Sequence, residues 1–271
     1  MVQGTLAVSA ATARPRARKG VVLVYHGLTT TPSAHTREGK YWVSADEFRR
    51  QLLYIRESAH RSVSLDCFWE GSCDAGGGSV VFTFDDGRSS DYEIAYPLLA
   101  EAGIAACFFL NSANIGAPGY LTWEQAREMH AAGMAFQSHS HDHVYLTRLS
   151  RRGVENQLLR SKQTIEDRLG NAVTFLSAPY GEIDAAVRNS AFGMGYHAIC
   201  SSLNWPARSG ASILPRVCVA GATSFATFRR LVAQEFLPYA CRGIRAASMY
   251  IPKQLALRVF HFNQSALERE G

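Results

Sequence analysis

Short runs of β-branched and aromatic residues recur along the chain, and stretches with helical spacing separate them. Six runs of this kind lie at residues 21–25, 80–84, 105–110, 134–136, 173–176 and 197–200. An alternation of such runs with helices is typical of βα units around a mostly parallel sheet or barrel. The pattern therefore predicts an α/β fold.

Helix-start signals mark several of the intervening segments. Two of them begin with capping-box spacing, in which a Ser or Thr stands three positions before a Glu or Gln. They start at Ser44 and Thr122 and are predicted to extend to Arg56 and to near Gly133. A third helix is predicted over residues 150–169, directly before a glycine that can end it.

No internal repeat and no deep break in composition marks a second domain among the 271 residues. One domain over residues 21–219, with a glycine-rich surface loop at 74–78, is the simplest organisation. Residues 1–20 carry four basic and no acidic side chains and predict a mobile basic tail. Residues 220–271 predict a basic helical C-terminal extension, for which we favour a solvated face packed on the barrel over a membrane-surface or partner-binding helix.

Composition and charge narrow the classes of function. With 47% hydrophobic and 19% charged residues, and no uninterrupted apolar run of membrane-spanning length, the chain is typical of a soluble globular enzyme. The net charge of +5 is not concentrated in a Lys/Arg stripe, which argues against nucleic acid as a partner. The first residues lack the apolar core of a secretory signal, so we expect a cytoplasmic protein, peripheral to the inner membrane if the extension contacts it.

The six cysteines are scattered and form no CxxC pair. Three of them lie in apolar, strand-like runs. We therefore expect reduced core thiols rather than a disulfide framework.

Two adjacent carboxylates end an apolar run in the segment Thr83-Phe-Asp-Asp-Gly-Arg88. Active sites of parallel βα folds lie at the carboxyl ends of strands, where the pleat breaks and both Asp85 and Asp86 can face one pocket. Two carboxylates this close disfavour joint ionisation unless a cation sits between them. Metal binding, with one acid left free for proton transfer, is one interpretation; an Asp turn in a surface loop is the other.

Three imidazoles follow another predicted strand, in the segment Ser138-His-Ser-His-Asp-His143. A spacing of four places His139 and His143 on the same side of a turn, as metal ligation requires, and leaves His141 outside the pair. Together with the acid pair, this cluster favours a metal site over structural histidines. One carboxylate and two imidazoles leave coordination positions open, as in catalytic sites. Zinc is the first candidate, and iron, cobalt or nickel also fit.

These motifs resemble those of polysaccharide deacetylases with the NodB homology module, carbohydrate esterase family four. The resemblance implies that Asp85 is the catalytic base, that Asp86, His139 and His143 hold a divalent metal ion, and that Ser140 braces the histidine loop. It runs along most of the chain and implies a distorted (β/α)7 barrel as a single domain. The implied substrate is an N-acetylated amino sugar in a glycan or glycoconjugate.

The early tyrosine–histidine pair that ends at His26 resembles the branch related to poly-N-acetylglucosamine deacetylases, in which a late histidine motif is moved by circular permutation. This implies that His26 is the general acid; a buried histidine bonded to backbone is the other interpretation. A segment similar to the third family motif implies substrate or oxyanion contacts at Pro179 and Tyr180. The fourth motif is only loosely matched near Trp205, which we assign to structure or substrate stacking.

The chain departs from the family at Ser177, where an Arg that orients the base is often found. We consider Arg216 as the group that holds the base instead. Three classes of function are compatible with these residues: a metal-dependent carbohydrate N-deacetylase, a catalytically inactive carbohydrate-binding module on the same barrel, and a non-haem iron oxygenase. Retention of both acids and both histidines, and the base beside the ligand, favour the deacetylase.

Overall fold

A curved, mostly parallel sheet forms the centre of the protein, in a computed structural model that describes residues 17–31, 39–73 and 78–240. The strands are β1 (Lys19–Tyr25), β2 (Leu28–Thr29), β3 (Val43–Ser44), β4 (Arg61–Ser62), β5 (Ser79–Asp86), β6 (Ala106–Leu110), β7 (Ala135–Ser138), β8 (Phe175–Ser177), β9 (Ala198–Ser201), β10 (Ala207–Arg208), β11 (Ile213–Pro215) and β12 (Val217–Cys218). The α-helices are α1 (Ala45–Glu57), α2 (Leu65–Glu70), α3 (Tyr96–Ala102), α4 (Trp123–Ala131), α5 (Arg151–Leu169), α6 (Ala185–Gly193) and α7 (Phe225–Val232).

The sheet closes almost completely into a barrel. Its main strands are β1, β5, β6, β7, β8, β9 and β11 in that order, each parallel to the next. Arg216 separates β11 from β12, and β12 returns to pair in parallel with β1. With β11 and β12 counted as one interrupted strand, the described residues give seven positions around the barrel. The predicted distorted (β/α)7 barrel is confirmed.

All six predicted apolar runs contribute to strands, and they are predominantly apolar because both faces of the sheet are buried. Alternate side chains of β5 enter different clusters: Val81 packs inside the barrel, whereas Phe82 and Phe84 pack against the helix layer. By the same alternation, Asp85 has the inward direction of Val81. The strand pattern therefore delivers a carboxylate to the carboxyl-terminal mouth of the barrel.

The three predicted helices are present as α1, α4 and α5. Of the two predicted capping boxes, only the one at Thr122 is complete, with reciprocal hydrogen bonds to Gln125. Ser44 accepts a hydrogen bond from the N–H of Glu47, whose side chain instead accepts one from Gln51. The predicted helix boundaries therefore agree with the structure more closely than the cap chemistry does.

The expectation of six reduced thiols is wrong for Cys67 and Cys73, which form a disulfide with a Cα–Cα distance of 5.4 Å. They meet because the chain reverses at Gly71, which ends α2 in the left-handed conformation. Cys107, Cys200 and Cys218 form no disulfide within the described ranges. Within the described ranges, no helix combines the length and the apolar character needed to span a membrane.

Several predictions concern residues outside the described ranges. The basic tail is described only from residue 17, loop residues 74–77 are not described, and the C-terminal extension is described only as far as residue 240. Within that last part, α7 packs Phe228 and Leu231 into the core.

Candidate active site

The chemistry-bearing residues converge at the carboxyl-terminal mouth of the barrel because parallel strands end at the same edge. Each belongs to a strand end or to the residues just after one. They are His26 after β1, Asp85 and Asp86 at the end of β5, His139 after β7, Ser177 at the end of β8 and Arg216 between β11 and β12.

Asp85 is fixed by a buried hydrogen-bond network. Arg216 donates from Nη1 to Asp85 Oδ1 at 2.7 Å and from Nη2 to Oδ2 at 2.6 Å, a two-pronged arrangement. Ser177 Oγ donates to Asp85 Oδ2 at 3.0 Å and accepts from Arg216 Nη2 at 2.7 Å. Asp85 is 2% exposed and Arg216 is 1% exposed. Arg216 is therefore the group that holds Asp85, and Ser177 completes the network.

The charge of Asp85 follows from these contacts. Burial acts to raise the pKa of its carboxyl, but the Arg216 guanidinium and His139 outweigh burial and hold the pKa well below its usual range. Asp85 is thus an oriented anion at neutral pH, able to accept a proton from a water molecule beside it.

Asp86 has a different environment although it is the next residue. Its backbone adopts a φ of 82°, which ends the strand alternation. Its Oδ1 atom lies 3.5 Å from Nε2 of His139 and 3.4 Å from Nε2 of His143. That oxygen is buried and accepts no hydrogen bond from the described part of the chain. One oxygen and two imidazole nitrogens therefore face a common point.

This donor set fits a divalent metal ion. One ligand atom from each of Asp86, His139 and His143 lies within 4.8 Å of the other two. Ligand atoms about 2.0 to 2.1 Å from a tetrahedral zinc ion lie about 3.3 Å from each other, close to the two separations measured from Asp86 Oδ1. The unpartnered Asp86 oxygen is the atom that a cation would satisfy.

The two histidines are oriented by backbone. His139 Nδ1 donates to the carbonyl oxygen of Ser177 at 2.8 Å, which leaves Nε2 as the ligand atom. Burial lowers the pKa of His143, whereas the carboxylates of Asp85 and Asp86 outweigh burial at His139 and raise its pKa. Ser140 (φ 65°) and His143 (φ 53°) are both left-handed, and these turns bring the imidazoles together.

Ser140 was expected to brace the histidine loop, but the side chain that makes this contact is that of Ser138. Ser140 Oγ makes no hydrogen bond to any described residue, and its backbone N–H donates to Ser138 Oγ at 3.2 Å. His141 lies apart from the cluster, with its Nδ1 2.7 Å from Ser112 Oγ. The structure therefore groups His139 with His143 and places His141 in a separate contact.

His26 lies at the same mouth, with its ring centroid 5.4 Å from that of Tyr41. Burial lowers the pKa of His26, and attraction to Asp85 and Asp86 partly opposes this effect. Its Nδ1 atom is buried without a hydrogen-bond partner among the described residues. The alternative of a histidine bonded to backbone through this atom is not observed.

Tyr180 borders the cluster from the loop after β8, where it follows the buried Pro179. Its ring centroid lies 4.8 Å from that of His143, and it is 51% exposed. Its backbone N–H makes no hydrogen bond to a described residue. Trp205 is grouped elsewhere: its ring packs against Phe236 and Tyr239 and lines a separate cavity of about 550 Å³.

Comparison with known proteins gives a family match over the middle of the chain. Residues 73–199 match the family described as polysaccharide deacetylase. The peptidoglycan-N-acetylglucosamine deacetylase PgdA of Listeria monocytogenes is 34% identical over 149 residues, which are 53% of this chain and 30% of PgdA. A chitin deacetylase of Pestalotiopsis sp is 31% identical over 126 residues, 46% of this chain and 42% of that enzyme. The chain thus spans less than half the length of either curated relative.

Solved structures extend the likeness over most of the described fold. IcaB from Ammonifex degensii superposes with a TM-score of 0.70 at 26% identity, over 80% of this chain and 97% of that one. The Streptococcus pyogenes deacetylase PplD has the same fold, with a TM-score of 0.72 at 22% identity over 79% and 98% of the two chains. The matched segment, residues 73–199, is therefore a polysaccharide deacetylase domain.

Proposed function

We propose that this chain is a metal-dependent hydrolase that removes an N-acetyl group from an amino-sugar-containing glycan or glycoconjugate. The observation that carries the proposal is the position of an anionic, immobilised Asp85 beside a three-ligand cluster with open coordination positions. An inactive binding module has no need for a buried carboxylate held at this point by two side chains. An iron oxygenase has no need for a proton acceptor beside its ligands.

Asp86, His139 and His143 would hold the ion, with zinc as the first candidate and iron, cobalt or nickel as alternatives. A divalent ion in this place supplies Lewis acidity toward the amide carbonyl and toward water. Asp85 would accept the proton of the attacking water, since both its oxygens are oriented at the mouth of the barrel. The N–H of Tyr180 would donate to the carbonyl oxygen as it gains charge. His26 would protonate the leaving sugar nitrogen.

The substrate class is supported by the named relatives. PgdA is named for N-acetylglucosamine of peptidoglycan, and the Pestalotiopsis enzyme for chitin. Both names describe polymers that contain N-acetylglucosamine. We therefore propose an N-acetylglucosamine-containing glycan or a precursor of one.

Acetate release tests this proposal. The protein, loaded in turn with zinc, iron(II), cobalt and nickel, is incubated with N-acetylglucosamine oligomers, peptidoglycan fragments, lipid-linked sugars and small glycosides. Asp85→Asn is the matched control, since it keeps the shape of the side chain and removes the proton acceptor. We expect turnover to fall by about a hundredfold to ten-thousandfold with metal content unchanged.

Equal acetate release by parent and Asp85→Asn would show that Asp85 is not the base. Failure of the parent to release acetate from every sugar with every metal, with glycan binding retained, would favour the binding-module alternative.

A further inference from the structure

Tyr180 adopts a backbone conformation that its side chain disfavours. Its φ and ψ angles are 61° and 2°, in the left-handed region where a Cβ atom crowds the following carbonyl. Residues other than glycine persist there only when their surroundings hold them, and such positions concentrate at functional sites. The structure therefore raises the question of what holds Tyr180.

A stack of three side chains answers that question. The Tyr180 and Tyr145 rings lie parallel, with an interplanar angle of 9° and centroids 3.8 Å apart. The guanidinium of Arg148 lies 3.9 Å from the centroid of the Tyr145 ring. The Tyr180 hydroxyl donates to the carbonyl oxygen of His143 at 3.4 Å, which ties the stack to the histidine loop.

The next residue restrains the loop from the other side. Gly181 has a φ of 72°, and a Cβ atom placed there would lie 2.5 Å from Ser202 Oγ and 3.0 Å from Ser202 N. Two successive left-handed residues are thus fixed, the first by a side-chain stack and the second by close packing against Ser202. Only the first can be changed without a steric clash.

We propose that Tyr145 is a positioning residue for the candidate active site: its ring, closed by Arg148, holds Tyr180 in the left-handed conformation beside His143. The Tyr180 N–H, which has no hydrogen-bond partner among the described residues, is thereby kept available for the carbonyl oxygen of the substrate. This part of the inference rests on the proposed function. The ring stack does not depend on the proposed function, so the stack and its catalytic consequence can be tested separately.

The stack is tested first in metal-free protein, by thermal unfolding of Tyr145→Leu, Tyr180→Gly and the double variant. Glycine adopts a positive φ freely, so Tyr180→Gly removes both the ring and the strain. Tyr145→Leu should lower Tm by about 2–4 °C, and Tyr180→Gly should lower Tm less in the Tyr145→Leu background than in the parent. Tyr145→Phe should keep the parental coupling. Additive shifts would overturn the proposal.

The catalytic consequence is tested with a substrate that the parent deacetylates. Tyr145→Leu should lower kcat by about tenfold to hundredfold, a decrease that approaches the effect of removing one oxyanion donor. KM should stay within about twofold of the parent value, and bound metal should be unchanged. Tyr145→Phe should restore most of kcat. Tyr92→Leu is the control, because Tyr92 stacks on Tyr96 at 5.9 Å outside the site and should leave kcat unchanged.

An unchanged kcat in Tyr145→Leu, or a loss that follows loss of metal, would overturn the positioning role even if the thermal shifts are coupled. A parent that releases no acetate would instead contradict the proposed function, and the thermal cycle would still decide whether the stack holds Tyr180.

Discussion

Asp85 and Asp86 end the same strand, yet their surroundings are opposite. Asp85 accepts three hydrogen bonds from Arg216 and Ser177, so the protein supplies its own cation. Asp86 turns away with a φ of 82° and leaves a buried oxygen facing two imidazoles. A buried carboxylate oxygen without a partner is unfavourable unless something else satisfies it. One acid is therefore fixed by the fold, and its neighbour keeps an oxygen that the proposed metal ion would satisfy.

This difference would separate two tasks of adjacent carboxylates, proton acceptance and metal ligation. An ion placed between equivalent acids would be shared by both, and neither would remain free to accept a proton. Because Arg216 occupies both oxygens of Asp85, that residue is held back from the ligand set. The contrast predicts that substitutions on the Asp86 side change metal binding, whereas those on the Asp85 side change catalysis and stability.

The largest effect is expected on the Asp86 side. His139→Ala should lower metal affinity by more than about a hundredfold and abolish turnover, because two remaining ligands hold an ion poorly. His141→Ala is the matched control, since its ring contacts Ser112 rather than Asp86. Metal analysis of both purified variants checks this. Equal metal loss in His139→Ala and His141→Ala would show that the wrong histidine has been assigned to the cluster.

A smaller but still large effect is expected for Arg216→Met on the Asp85 side. Removing one partner of a buried ion pair destabilises by about 3–5 kcal/mol, because the remaining charge is left unpaired. Urea unfolding of the metal-free protein at neutral pH measures the loss. Arg216→Lys, which keeps the charge but not the two-pronged geometry, should cost less.

The same variant has a defined pH dependence. In the parent, the depressed pKa of Asp85 gives a stabilisation that is present above the unfolded pKa of about 3.9 and is lost as pH falls further. In Arg216→Met, burial raises the pKa of Asp85, so the stability of the variant falls as pH rises above about 4. Destabilisation should therefore be larger at pH 7 than at pH 4.5. Equal destabilisation at both values would indicate lost packing rather than an unpaired charge.

Much of the fold was predictable because its signals are local. The strands are predominantly apolar runs, since a parallel barrel buries both faces. α4 begins at the predicted Thr122 cap, and α5 begins where the third helix was predicted to start. The grouping of Asp86 with His139 was also predictable, because both residues follow apolar runs whose carboxyl ends lie at one edge of the sheet. The Cys67–Cys73 pairing was not, because it depends on the reversal at Gly71 rather than on a cysteine motif.

The fine structure of the site depends on contacts between distant segments. From the sequence, Ser177 indicates that the arginine that orients the base is missing. In the fold, however, Ser177 bonds to both Asp85 and Arg216. Trp205 has the aromatic character of a sugar-stacking residue, but the chain after β9 carries it to Phe236 and Tyr239. Tyr145 follows His143 by two positions, but the sequence does not show that its ring stacks on Tyr180. Only the three-dimensional course of the chain shows what each of these residues contacts.

The smallest effect, and the sharpest test of the contrast, is expected for Ser177→Ala. The hydroxyl serves Asp85 and Arg216, whereas the carbonyl oxygen of the same residue accepts from His139 and is kept by alanine. Loss of the hydroxyl should cost about 1 kcal/mol of stability and lower kcat by roughly fivefold, with metal content unchanged.

Ser190→Ala is the control for this test, because Ser190 Oγ is buried without a hydrogen-bond partner among the described residues. It should leave kcat unchanged and should not reduce stability through a lost hydrogen bond. If Ser177→Ala instead released metal in proportion to its loss of turnover, the two halves of the site would be coupled through β8. The separation between Asp85 and the ligand set would then fail at Ser177, whose hydroxyl contacts Asp85 and whose carbonyl oxygen contacts His139.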